Sequence, residues 1–86
     1  MTTRHHARAI FDDNDTLKHA EIVVVEQYWS QDDGWQEGDV VDHGEWRVSE
    51  HSDDVLERMG WQRVGGNGWV YVVHGYVVDV EPLALF

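Results

Sequence analysis

Between residues 20 and 30 the chain places Ile22, Val23, Val24, Val25, Tyr28 and Trp29 in near succession, a β-branched and aromatic run that predicts a strand. The run does not alternate with polar residues, which points to burial on both faces near the centre of a sheet. Upstream, residues 5–11 read as a strand with Ala7, Ala9 and Phe11 on one face, or as a helical turn that gathers Ala7, Ile10 and Phe11; the alternation favours the strand. Asp12-Asp13-Asn14-Asp15 between them has turn composition, because these side chains bond their own backbone and tolerate left-handed geometry.

Residues 31–38 hold two glycines and three acids around Trp35 and read as a loop. Val40-Val41 and residues 45–49 then read as two short strands joined by a hairpin turn at Asp42-His43-Gly44. Ser52 is the expected helix N-cap, with Asp53 and Asp54 favourably placed in the first turn against the helix dipole. Val55, Leu56 and Met59 supply the apolar side of this helix, Arg58 its last turn and Gly60 a left-handed C-terminal stop.

A meander follows: residues 61–64, a turn at Gly65-Gly66-Asn67-Gly68, residues 69–73, His74-Gly75 and residues 76–81. His74-Gly75 reads as a tight hairpin turn, or else Gly75 marks a bulge in one long strand. Pro82 ends the last strand and leaves Leu83, Ala84, Leu85 and Phe86, an apolar tail expected to cover an open edge of the core or to dock on another chain. The elements add up to one α+β domain over residues 1–86, an antiparallel sheet of about five strands with one short helix packed on one face. Five Trp, three Tyr and two Phe among 86 residues supply a core of that size.

Charge changes the picture more than composition does. The formal net charge is −11, yet residues 1–19 and 58–86 are each balanced, and residues 20–57 hold twelve carboxylates against Arg47 alone. A polyanionic middle repels phosphate, so direct nucleic-acid binding is not expected, whereas a basic protein surface is attracted in a salt-dependent way. Carboxylates spaced over one face would imitate a phosphate array, and Asp32, Asp33, Glu37, Asp39, Asp53, Asp54 and Glu57, with Trp35 as an aromatic anchor among them, are the expected contact residues. Trp46, Trp61 and Trp69 read as core. The expected function is a non-enzymatic inhibitor or adaptor that fills a basic groove, of the kind small mobile elements or phages encode. The rival is a homodimer or larger assembly formed through sheet edges and the apolar tail.

Catalytic and metal chemistry find little support. The three serines lack a nucleophile setting, the single Lys18 lacks a motif, and there is no Cys for a thiolate ligand, a nucleophile or a disulfide. Six histidines lack the spacing of a zinc site, and neither Asp-rich stretch fits a calcium loop, so no metal or cofactor is expected. Protonating all six would add six positive charges to the formal net charge of −11 and weaken association at acid pH. With no basic segment leading into an apolar run and no apolar stretch near the roughly 20 residues of a membrane span, a cytoplasmic protein is expected.

Residues 54–71, a helix followed by Gly60-Trp61, a short strand, a Gly-rich turn and a strand, resemble the corresponding segment of HicA-type toxin ribonucleases, whose fold is double-stranded-RNA-binding-like. In that family a catalytic His follows the Gly of the turn. Here Trp69 follows Gly68, and acid stands where the family is basic, so the resemblance does not extend to the activity.

Overall fold

The structure, a computed structural model, describes residues 2–11, 19–47, 49–72 and 75–83, with the side chains of Phe11 and His19 left aside. The turn expected at Asp12 to Asp15 and the tail beyond Leu83 lie outside the described residues. Six strands and one helix follow in the order β1 (Thr3–Phe11), β2 (His19–Ser30), β3 (Gly34–Arg47), α1 (Ser52–Met59), β4 (Trp61–Arg63), β5 (Val70–Val72) and β6 (Gly75–Pro82). All pairings are antiparallel, in the order β3-β2-β1-β6-β4, with β5 also on β6. This is the expected α+β fold, and residues 5–11 are strand.

β1, not β2, is the central strand. It binds β2 on one side and β6 on the other, so Ala7 pairs with both Val24 and Val78. β2 lies one place out, with Ile22 and Val24 fully buried on the helix side and Val25 nearly so on the other.

β3 departs most from expectation. Residues 34–47 form one continuous strand rather than a loop and two short strands. Asp32-Asp33-Gly34 accounts for the first difference: Ser30 pairs with Gly34 across a three-residue turn, and Gly34 has φ 75, the left-handed geometry such hairpins need. Gly44 accounts for the second. It pairs with Ile22 inside the strand, and a Cβ there would come within 2.8 Å of Met59 Sδ, so glycine makes room for the helix and not for a turn. The polar composition that reads as loop belongs to an outer strand exposed along most of its length. Register shifts between Val24 and Val25 and between Val25 and Gln27 add bulges opposite β2.

The helix is capped one residue earlier than expected. His51 has extended backbone (φ −75, ψ 135), and its Nδ1 accepts from the Asp53 N–H at 3.2 Å, whereas Ser52 lies in the first turn and its Oγ accepts from Trp69 Nε1 at 3.1 Å. Gly60 closes the helix in the left-handed conformation at φ 92, its N–H returning to the carbonyls of Leu56 and Glu57.

β4 and β5 both pair with β6 and not with each other. Trp61 pairs with Pro82 and Arg63 with Val80, but Val70 pairs with Val77, so the register slips by four residues between them. Gly65-Gly66-Asn67-Gly68 is therefore an insertion in one broken outer strand, not a hairpin turn. The likeness of residues 54–71 to the toxin segment stops at element order. Gly75 belongs to β6 itself, opposite Val72, which makes β5 and β6 a hairpin and rules out one long strand; residues 73–74 lie outside the described set.

The sheet curls. In a flat sheet β3 and β4 would stand about 19 Å apart, with three strands between them. Instead Trp61 on β4 reaches Asp42 on β3, and Trp46 on β3 stacks on Trp69 at 5.9 Å between ring centres. The helix closes the gap, resting on β3 and β4. Inside the curl the central strands carry small residues, Ala7, Ala9 and Ala20, and Ile22, Val24, Val55, Leu56, Val78 and Val80 complete the core. Trp46, Trp61 and Trp69 pack against it as expected, and each indole N–H has an acceptor at the rim: Glu50 carbonyl, Asp42 carboxylate and Ser52 hydroxyl.

Candidate functional site

The twelve carboxylates of residues 20–57 divide by what they touch. Three hold arginines. Asp53 grips Arg63 through both oxygens, at 2.7 Å to Nε and 3.0 Å to Nη2. Glu50 takes Arg58 at 2.6 Å and the Arg47 N–H at 3.2 Å; the Arg58 hydrogen bond first, and that N–H second, hold its carboxyl below the usual range. Glu37 accepts from Arg8 at 2.9 Å. Two more are engaged differently: Asp42 by Trp61 and the His43 N–H, and Glu26 by His5 at 3.7 Å.

The remaining seven sit on β2, the β2–β3 turn, β3 and α1. Asp32 and Asp33 are exposed in the turn, Asp39 on β3, and Asp54 and Glu57 on the outer side of α1. Among the described residues none of these five has a cationic partner. Glu21 and Glu45 are exposed and face one another as Cα partners across β2 and β3. The helix touches β3 at Gly44, and the expected contact residues divide between two places: Trp35 and Glu37 engage Arg4 and Arg8 on the sheet face away from the helix, with Asp32, Asp33 and Asp39 on the same hairpin arm, whereas Asp53, Asp54 and Glu57 belong to the helix. Glu37 and Asp53 are tied to arginines and contribute less charge outward than the other five.

Trp35 is not a free anchor in a loop. It is half-buried on β3, edge-on to Trp29 at 5.6 Å, and the Arg4 guanidinium lies 4.0 Å from its ring centre. Arg4 is fixed in turn by Nε donating to Gln27 Oε1 at 2.8 Å. Trp29, the neighbour of Trp35, faces outward instead, 51% exposed. Its signal in the sequence is the Asp-Asp-Gly turn, which makes Trp29 and Trp35 cross-strand partners.

On the face of the sheet away from the helix, β1 presents Arg4, His6 and Arg8, since its alternate residues Ala7 and Ala9 point into the curl. His6 is 4% exposed; its Nε2 lies 3.5 Å from Glu37 Oε1 and that nitrogen makes no hydrogen bond, and Arg8 Nε is likewise buried and unbonded. Burial pushes the His6 imidazole below its ordinary pKa, against the opposing pull of Glu37 and with a smaller push from Arg8. An imidazole beside a carboxylate and a guanidinium has acid–base group types, but its burial keeps a substrate atom from reaching it. Among the described residues no three His, Asp or Glu side chains converge as a metal site, and no helix is long and apolar enough to cross a membrane.

Compared with protein-family models, curated proteins and solved structures, the chain finds no match.

Proposed function

We propose that the chain is a non-enzymatic acidic binding module, an inhibitor or adaptor whose β3 flank occupies a basic groove of a partner protein, including a groove that otherwise takes nucleic acid. The observation that carries this reading is a group of exposed carboxylates without cationic partners among the described residues, Asp32, Asp33 and Asp39 on the β2–β3 hairpin arm and Asp54 and Glu57 on the helix. Carboxylates already satisfied by arginines would have little to offer a partner; these five keep their field directed outward. Val40 and Val41, 57% and 46% exposed, lie in the same stretch and add apolar contact where β3 is bulged. The charges have a second effect, since acid along an outer strand discourages edge-to-edge pairing of β3 with another sheet.

Affinity purification from the native host at about 0.1 M and about 1 M salt tests the proposal, because exposed charge pairs are screened over about 10 Å and about 3 Å respectively. A partner with a basic groove should be retained at the lower salt and released at the higher. The variant carrying Asp32→Lys, Asp33→Lys and Asp39→Lys should lose it, and Asp54→Lys with Glu57→Lys should weaken it. Retention indifferent to both salt and charge reversal would sink the reading.

A further inference from the structure

We propose that the chain self-associates as a two-fold dimer through the free edge of β5, forming a sheet continuous across two copies. β5 pairs with β6 on one side, and no described strand covers the other. Its residues are apolar and outward: Val70 is 61% exposed and Tyr71 71%, with Tyr71 held edge-on against Tyr76 at 5.5 Å. An open groove of about 330 Å³ lined by Asn67, Gly68, Val70, Val77, Val78 and Asp79 runs beside it, where the four-residue insertion parts the outer strand. Such an edge is a template for another strand unless charge, brevity or a bulge blunts it.

Backbone alternation shows which groups are free. Asp79 accepts from the Val64 N–H, so it directs its backbone groups toward the β4–β5 side. By the two-residue period Val77 and Gly75 do the same, and their β5 partners Val70 and Val72 point their own groups inward to meet them. Tyr71, between the two, turns its N–H and C=O to the free edge. A two-fold axis beside Tyr71 then gives two reciprocal hydrogen bonds between the two Tyr71 backbones. Val70-Tyr71-Val72 is the same read in either direction, so antiparallel pairing sets Val70 beside Val72 of the second copy.

Charge names a second copy as the occupant. No Asp, Glu, Lys or Arg occurs from Val64 to Val78 in a chain of net charge −11. Two copies meeting through β3 would set carboxylates against carboxylates, whereas the β5 edge brings no charge of its own into contact. Arg63, nearest to it on β4, is already committed to Asp53. A basic partner is drawn to the acidic flank, leaving this neutral strand to its own kind.

Sedimentation velocity from about 10 µM to about 1 mM reads the equilibrium, with half-association near 100 µM expected for so short a strand pair. Added salt should tighten the dimer, because it screens repulsion between the acidic bodies; the basic-partner complex responds in the opposite direction, so the two ideas fail separately. Val70→Asp should raise the dissociation constant at least tenfold, and so should Tyr71→Pro, which removes the outward N–H at an edge position that tolerates proline. Asp39→Lys should leave the dimer intact. If Tyr71→Pro fails to fold by circular dichroism, Val70→Asp decides alone. A chain that stays monomeric at about 1 mM in 1 M salt, or a dimer indifferent to Val70→Asp, overturns the proposal.

Discussion

Trp61 Nε1 donates to Asp42 Oδ2 at 3.0 Å, binding β4 to β3 although β6, β1 and β2 lie between them in the sheet. This bond, the stacked Trp46 and Trp69 and the bridging helix hold the sheet in its curl. Asp42→Ala removes the acceptor from a partly buried indole and should lower unfolding free energy by about 1–2 kcal/mol, with Asp42→Asn recovering part of the loss. Urea titrations of the three proteins measure it, and the near-ultraviolet dichroism of Trp61 should change in Asp42→Ala first.

Two glycines that look alike in the sequence should respond differently to a single methyl group. A Cβ on Gly75 would overlap the Ala9 carbonyl oxygen, which belongs to the central strand and cannot retreat. On Gly44 it would meet Met59 Sδ, the far end of a flexible side chain. Gly75→Ala should cost about 3 kcal/mol or prevent folding, and Gly44→Ala less than about 1.5 kcal/mol. Thermal melts of both variants decide; equal losses would contradict the packing described.

Stability should fall as pH drops below the ordinary His range. Burial lowers the His6 pKa in the fold, so the unfolded chain takes up a proton near pH 6.5 while the folded chain does not. The contribution is fully present above pH 6.5 and is lost progressively between that value and the lower folded pKa. His6→Gln removes the titration and should flatten the dependence between pH 7.5 and about pH 5, above the usual carboxylate range. Urea midpoints at intervals across this window give the comparison.

Arg63 joins three parts of the molecule: its Nε and Nη2 hold Asp53 at the helix start, and its Nη1 donates to the Asn67 carbonyl of the insertion at 2.8 Å. The pair is about one-third exposed, which limits its worth to about 1 kcal/mol. Arg63→Lys loses the two-pronged geometry and should cost nearly as much as Arg63→Ala. Both should speed proteolysis at residues 65–68 more than they shift global stability, since the insertion loses its tether. Limited digestion followed by mass spectrometry reads the cleavage site.

The amino-acid sequence by itself determined the features whose cause lies within a few residues. The Val-rich run of β2, the helix ending at Gly60, the stop at Pro82, the core role of Trp46, Trp61 and Trp69 and the concentration of acid between residues 20 and 57 all follow from local chemistry. Tertiary structure decided the rest. Gly44 serves Met59 of the helix, which no local pattern near Asp42-His43 conveys, so β3 is one strand where a turn is expected. Ser52 and Trp35 have the chemistry expected of a cap and of an exposed anchor, but Trp69 takes the first and Arg4 covers the second, each arriving from far along the chain. The curl likewise depends on the meeting of β3 and β4, a contact between residues 19 apart that exists only once three other strands have paired. It also sorts the acids, leaving Asp53 and Glu37 to arginines while Asp32, Asp33, Asp39, Asp54 and Glu57 face outward. Which carboxylates a partner can use is set by where the arginines fold, and that is a property of the assembled sheet.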